Sequence, residues 1–192
     1  MPSRISSLPD LRAIALAGLV SLSPLALGQP AFAAGNHDHG AGHNDGGHHS
    51  VDIGSPGSPE AVDRTVTIIM TDNSYDPASL SLKEGETVRF IVENRGEFVH
   101  EFNIGTAAMH AAHQAEMMQM MESGALEADR INHAKMGHGS GMAHDDPNSV
   151  LLEPGQTGEI IWTFATHATL EFACNVPGHY QTGMKGKIRL SH

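Results

Sequence analysis

The sequence predicts an all-β fold, a β-sandwich interrupted by one helical or irregular insertion rich in Met and His. From residue 64 onward, short segments alternate apolar and polar residues and are separated by turn-forming residues. Between residues 104 and 149 this alternation stops, and residues that favour helices replace it. The Cys, Trp, Cys pattern of immunoglobulin domains is absent, so we expect a different kind of sandwich.

Seven segments carry the strand pattern. In the first, Val66, Ile68 and Met70 alternate with more polar positions, and β-branched residues predominate. Turn signals such as Asp76-Pro77 and Pro154-Gly155 separate the segments. Short strands with this spacing predict an antiparallel sandwich. The predicted strands are residues 64–71, 80–83, 87–93, 98–104, 157–164, 170–173 and 185–190.

The insertion, residues 104–149, is expected to contain two helices and a loop. Residues 106–123 are rich in Ala, Met, Gln and Glu, and Gly124 is placed to end a helix there. Residues 126–136 favour a second helix, and residues 137–148 return to a loop rich in Gly and His. An insertion of this size within a small β domain is more often functional or disordered than neutral.

The insertion carries seven methionines and five histidines. Met109, His113, Met117 and Met120 would share one face of the first helix. Such a stripe is typical of a helix packed into a core, and it would equally suit capture of Cu(I). Little Leu, Ile or Val accompanies the methionines, which favours capture. Further donors in the insertion are His110, Met118, Met121, His133, Met136, His138, Met142 and His144.

The N-terminus resembles a secretory signal peptide over residues 1–33. Arg4 and Arg12 precede an apolar run, and the small residues Ala31 and Ala33 flank Phe32 as at a cleavage site. A retained membrane anchor is the alternative, but the run is shorter than the roughly 20 residues that a spanning helix needs. We therefore expect a cleaved signal and a periplasmic protein.

Residues 34–60 predict a disordered tail, because Gly, His, Asp, Asn, Ser and Pro leave almost nothing to bury. Its histidines would bind borderline divalent metals loosely, or would simply be solvated. These histidines are His37, His39, His43, His48 and His49. The remainder, residues 61–192, is expected to form one domain.

Charge and cysteine content exclude some functions. The formal net charge of −11 disfavours binding to nucleic acid or to an anionic membrane. We therefore expect no nucleic-acid partner, and we expect no insertion into a membrane. Cys174 is the single cysteine, so an exported chain could not use it for an internal disulfide. Metal ligation is the natural use for such a thiol.

A loop near the C-terminus places Cys174, His179 and Met184 in the order that a mononuclear copper site needs. Thiolate and thioether suit Cu(I), whereas imidazole suits both oxidation states, and a trigonal site needs a second imidazole. His100 is our candidate. Alone, a histidine between Phe98 and Phe102 would more often be a core residue, and Cys174 and Met184 could each be buried apolar residues.

The motif Cys174-x-x-Pro-Gly-His-x-x-x-Gly-Met resembles the metal-binding loop of the cupredoxins, the blue-copper family. Asn94, six residues before His100, is similar to the approach to the upstream histidine in that family. The resemblance covers residues 64–103 and 150–192. It implies a Greek-key β-sandwich and one type 1 copper, with Cys174, His100 and His179 as ligands and Met184 as the axial thioether.

The resemblance, with the His-rich and Met-rich extensions, implies a periplasmic cupredoxin that acts in copper tolerance by binding or sequestering copper, with a redox role. The alternative is a soluble one-electron carrier. Expected partners are copper ions and either a redox protein or a copper exporter. We expect no enzymatic activity, because the sequence has neither a hydrolytic constellation nor a second copper cluster for reducing dioxygen.

Overall fold

The computed structural model describes residues 51–136, 146–165 and 167–192. Within these ranges, ten strands form two five-stranded sheets. The strands are β1 (Gly54–Pro56), β2 (Arg64–Thr71), β3 (Ser74–Asp76), β4 (Ser79–Lys83), β5 (Thr87–Asn94), β6 (His100–Gly105), β7 (Ser149–Leu152), β8 (Thr157–Phe164), β9 (Leu170–Ala173) and β10 (Lys185–Ser191). The strand orders are β1-β8-β5-β2-β3 and β4-β10-β9-β6-β7.

The prediction of an all-β sandwich with a helical insertion is confirmed. All seven predicted strands are present, while the short strands β1, β3 and β7 were not predicted. The prediction of purely antiparallel sheets is wrong, since β2 pairs with β5 and β4 with β10 in parallel. The chain crosses to the other sheet at β4 before returning as β5, so β5 runs in the direction of β2.

Aromatic side chains from both sheets meet in the core. Phe90 on β5 lies 5.3 Å from Phe102 on β6, between ring centroids, and Phe102 lies 5.4 Å from Phe172 on β9. All three rings are fully buried, and burial of one such side chain contributes about 1.5–3 kcal/mol. Phe98 was expected beside them but is exposed, because β6 begins only at His100.

The insertion contributes one helix, α1 (Ala107–Glu122), which lies against β6 and β9. The side chain of Thr106 caps its start by accepting a hydrogen bond from the Met109 amide at 3.3 Å. Met117 and Met120 on its inner face are buried in the core, whereas Met109 and Met118 are exposed. The methionine stripe is therefore in part a packing surface.

The predicted second helix, residues 126–136, is wrong. Its residues form turns and an isolated bridge between Leu126 and Ile131. The backbone amide of Leu126 bonds back to Met120, and that of Ile131 bonds to the carboxylate of Glu153 at 2.8 Å. These tertiary bonds replace the regular helical pattern to which propensity alone pointed.

The predicted disordered tail extended too far toward the domain. β1 pairs with β8, and the Trp162 indole donates a hydrogen bond of 3.1 Å to the carbonyl of Ile53, which is buried. Residues 34–50 of the tail and the predicted signal peptide lie outside the described residues. Among the described helices, none is long and apolar enough to cross a bilayer.

Candidate metal centre

Three of the four predicted ligands converge at one end of the sandwich. His100 is the first residue of β6, Cys174 follows β9, and His179 lies in the turn after it. The Cys174 Sγ lies 3.3 Å from His179 Nδ1 and 4.0 Å from His100 Nδ1. The donor atoms of the three residues all lie within 4.8 Å of one another.

This spacing fits a single copper ion. For metal–nitrogen and metal–sulfur bonds of about 2.0 and 2.3 Å at trigonal angles, a nitrogen and a sulfur lie about 3.8 Å apart. The two observed separations, 3.3 and 4.0 Å, fall on either side of that value. One thiol and two imidazoles are also the donor types that a mononuclear copper site uses.

The loop from Cys174 to Met184 is closed by backbone hydrogen bonds. The Cys174 amide donates to the Met184 carbonyl at 3.1 Å, and the Met184 amide donates to the His179 carbonyl at 3.0 Å. Gly178 and Gly183 adopt left-handed φ values of 92° and 100°, which other residues adopt at a cost. Met184 is fully buried, and its backbone is held beside that of Cys174.

Asn94 fixes the loop that leads to His100. Its buried side chain donates hydrogen bonds of 2.8 Å to the carbonyls of Phe98 and Leu152, and it accepts one of 2.9 Å from the Gly96 amide. These three hydrogen bonds define the shape of the loop and so hold the backbone that leads to His100.

Asp72 orients the His100 ring. Its Oδ1 lies 3.0 Å from His100 Nε2, while His100 Nδ1 is directed toward Cys174. The Glu97 amide donates to the same carboxylate oxygen at 3.0 Å. A carboxylate on the outer ring nitrogen is the usual device that sets the tautomer and angle of a metal-binding histidine.

Burial sets the protonation states of the group. It lowers the pKa of His100, against the opposing effect of Asp72. It also lowers the pKa of His179, and repulsion between the two rings when both are protonated acts in the same direction. Both imidazoles are therefore neutral and able to bind a metal at neutral pH. Burial raises the pKa of Cys174 to about 12, so metal binding at this thiol must release a proton.

Glu101, which the sequence did not single out, is a fully buried carboxylate behind the three donors. Its Oε2 accepts hydrogen bonds from the Asn175 amide and side chain at 3.1 and 2.8 Å. Its Oε1 accepts from Ser149 at 2.7 Å and lies 2.9 Å from His113 Nε2. Its own amide donates to Cys174 Sγ at 3.3 Å. Glu101 thus joins the Cys174 loop to the insertion.

Helix α1 places two histidines on this network. Burial lowers the pKa of His113, but Glu101 and then Glu116 outweigh it and raise the pKa to about 9, so His113 is the cation that balances Glu101. His110 Nδ1 accepts a hydrogen bond from the Asn175 side chain at 3.2 Å. Burial lowers the pKa of His110, which is therefore neutral.

Glu101 follows His100 on β6 and so points to the opposite face. It was missed because no pattern in the sequence indicates that α1 covers that face. Asp72 was also missed, because it lies 28 residues before His100 in a predicted turn. His133 is exposed, and its Nε2 lies 4.0 Å from the carboxylate of Glu153. His138, Met142, His144 and the tail histidines lie outside the described residues.

Comparisons with known proteins find relatives that bind copper. Residues 62–191 match the family described as copper binding proteins of the plastocyanin/azurin family. A Pseudomonas aeruginosa protein named copper-resistant cuproprotein CopI is 45% identical over 150 residues, 73% of this chain and 83% of that protein. The protein of the same name from Rubrivivax gelatinosus is 38% identical over 161 residues, 82% of this chain and 86% of that protein.

Solved structures support the fold. Auracyanin B superposes with a TM-score of 0.53 at 23% identity and covers 73% of this chain and 97% of its own. The reduced auracyanin of Roseiflexus castenholzii gives 0.50 at 22% identity, with 68% and 99% covered. The prediction of a cupredoxin-like sandwich is thereby confirmed.

Proposed function

The chain belongs to the plastocyanin/azurin family of copper-binding proteins, and from that premise we propose that it acts in copper tolerance. In this proposal, one type 1 copper is held by His100, Cys174, His179 and Met184, and the exported protein binds copper in the periplasm. The role is not enzymatic.

The observation that carries the proposal is the convergence, within 4.8 Å, of the neutral imidazole at the start of β6 with the thiol and the neutral imidazole of the loop after β9. When bound there, copper supplies a one-electron couple between Cu(I) and Cu(II). The chain's own residues hold the ligand side chains and orient them. Asp72 fixes the His100 ring, the Glu101 amide donates to Cys174 Sγ, and burial of His100 and Cys174 excludes bulk water.

Support for tolerance comes from relatives that carry the name copper-resistant cuproprotein and align over most of their length. Additional weak copper binding belongs to the same proposal. Among the described residues, the exposed thioethers of Met109 and Met118 are available for it, while Met117 and Met120 are held in the core.

A complementation experiment tests this function. In the source bacterium its own gene for this protein is deleted, which we expect to make the strain copper-sensitive. The full chain is then expressed there as wild type, as Cys174→Ser and as His133→Asn. We expect wild type and His133→Asn to restore growth at elevated copper and Cys174→Ser to fail, because only Cys174 supplies a thiolate. Cell fractionation should place the protein with a periplasmic marker enzyme.

The same strains distinguish copper tolerance from the alternative function, which is one-electron transfer. If deletion leaves copper tolerance intact but slows respiratory or photosynthetic electron flow at low copper, the electron-carrier function is correct and tolerance is not. Full tolerance from the Cys174→Ser variant would also contradict our proposal.

A further inference from the structure

A second group of metal-binding side chains lies at the other end of the sandwich. Glu84 lies in the turn between β4 and β5, His167 in the loop between β8 and β9, and His192 directly after β10. The opposite ends of β5, β9 and β10 lead to the Cys174 centre.

The donor atoms of the three side chains lie close enough to one another to share one cation. Glu84 Oε1 lies 3.4 Å from His167 Nδ1, and Glu84 Oε2 lies 2.8 Å from His192 Nδ1. The three donors lie within 4.8 Å of one another. Two ligands of a tetrahedral ion with bonds of about 2.05 Å are separated by about 3.4 Å, so small side-chain movements suffice to admit a cation.

Two backbone amides and the backbone conformation of His167 hold this arrangement. The Glu84 amide donates to the Ser191 carbonyl at 2.9 Å, which ties the turn to the end of β10. The His167 amide donates to Glu84 Oε1 at 3.0 Å. His167 also has a φ of 60°, a left-handed conformation that is uncommon for a residue other than glycine and often marks a functional position. The nearby cation Arg64 is paired with Glu86 at 2.9 Å.

We propose that Glu84, His167 and His192 form a second metal site, which takes a borderline divalent cation such as Zn²⁺ or Cu²⁺. Two imidazoles and a carboxylate form a recognised zinc-binding set, and the absence of sulfur among them disfavours Cu(I). Both imidazoles are largely exposed, at 74% and 79%, so water completes the coordination and the cation exchanges with solvent. This site is independent of the Cys174 centre and of the function proposed for it.

The test is a Zn²⁺ titration of the full chain, with Cu(I) already bound at the Cys174 centre, followed by amide ¹H–¹⁵N spectra. Position-resolved signals are needed because the N-terminal histidines offer Zn²⁺ further imidazole donors. The variants are His167→Asn and His192→Asn. Asparagine tolerates the left-handed φ at position 167, so it removes the ligand while keeping the turn. His133→Asn, which removes an exposed histidine outside the group, is the matched control.

We expect the amides of Glu84, Gly85, His167 and His192 to shift with Zn²⁺ and to saturate. Each ligand variant should weaken the apparent affinity read from the remaining amides at least tenfold, because even the loss of a supporting residue commonly costs that much. The control should leave the affinity unchanged. Amides that do not move with Zn²⁺, or that saturate at the same concentration in wild type and both ligand variants, would overturn the proposal.

Discussion

Glu101 connects three parts of the molecule: strand β6, the Cys174 loop and helix α1. A fully buried carboxylate is tolerated only when its oxygens are hydrogen-bonded and its charge is balanced. Asn175 and Ser149 supply hydrogen bonds and His113 supplies the charge. Glu101 is therefore a positioning residue for Cys174, because it binds Asn175, the next residue in the chain.

Replacement of Glu101 by Gln should lower the free energy of unfolding of the metal-free protein by about 2–4 kcal/mol, because it removes the buried charge that balances His113 and accepts hydrogen bonds from Asn175. Chemical denaturation measures this. Glu116→Gln is the matched control, since Glu116 also lies 2.9 Å from His113 but is 69% exposed and should change stability by less than about 1 kcal/mol. Equal losses in the two variants would contradict the role given to Glu101.

The candidate ligands could be predicted at the residue scale because Cys174, His179 and Met184 lie in one short motif. His100 required the additional argument that a trigonal site needs a second imidazole. Glu101 and Asp72 could not be predicted, because their roles depend on contacts between residues that are far apart in sequence: Glu101 contacts Asn175 across 74 positions.

At the scale of elements, α1 covers one face of the sheet that carries the metal centre. Its buried residues His110, Met117 and Met120 pack toward the sandwich, and His113 reaches Glu101. The insertion is thus structurally coupled to the Cys174 loop through Glu101 and Asn175.

This coupling predicts a specific pH dependence for His113→Asn. The pKa of His113 is raised to about 9 in the folded protein, from an ordinary value near 6.5, so the charged ring stabilises the fold fully below about pH 6.5. That contribution is lost as the pH rises through 9. The variant should therefore be less stable than wild type by on the order of 2–3 kcal/mol at pH 6 and much closer to it at pH 9.5.

Denaturant unfolding of the metal-free protein at the two pH values measures the effect. His133→Asn serves as the control, because this exposed ring should give no such pH-dependent difference. A destabilisation by His113→Asn that stays constant, or grows, between pH 6 and pH 9.5 would contradict the Glu101–His113 pair.

The longer strands follow local sequence patterns. The elements that were predicted wrongly or not predicted differ for physical reasons. The seven strands could be predicted from alternation because each has one face in the core. The segment after α1 has good helix propensity. However, the Ile131 amide donates its hydrogen bond to the carboxylate of Glu153 rather than to a helical carbonyl, and the segment forms turns. β1 was hidden in a tail-like composition and is held by its pairing with β8.

At the scale of the whole molecule, the two sheets provide a rigid frame with a candidate metal site at each end. The parallel pairings of β2 with β5 and of β4 with β10 could not be predicted, because they depend on crossings between sheets. The antiparallel pairing of β6 with β9 brings the start of β6 beside the end of β9, which is why residues 74 positions apart share one centre.

The central claim is that Cys174 provides the thiolate of a single type 1 copper, and visible absorption during Cu(II) titration of the full chain tests it most directly. We predict an intense thiolate-to-copper band that saturates at one equivalent bound at this centre, is absent in Cys174→Ser and is unchanged in His133→Asn. Copper held only by the tail histidines cannot produce this band. A band that survives in Cys174→Ser, or a wild-type protein that never develops one, would contradict the assignment.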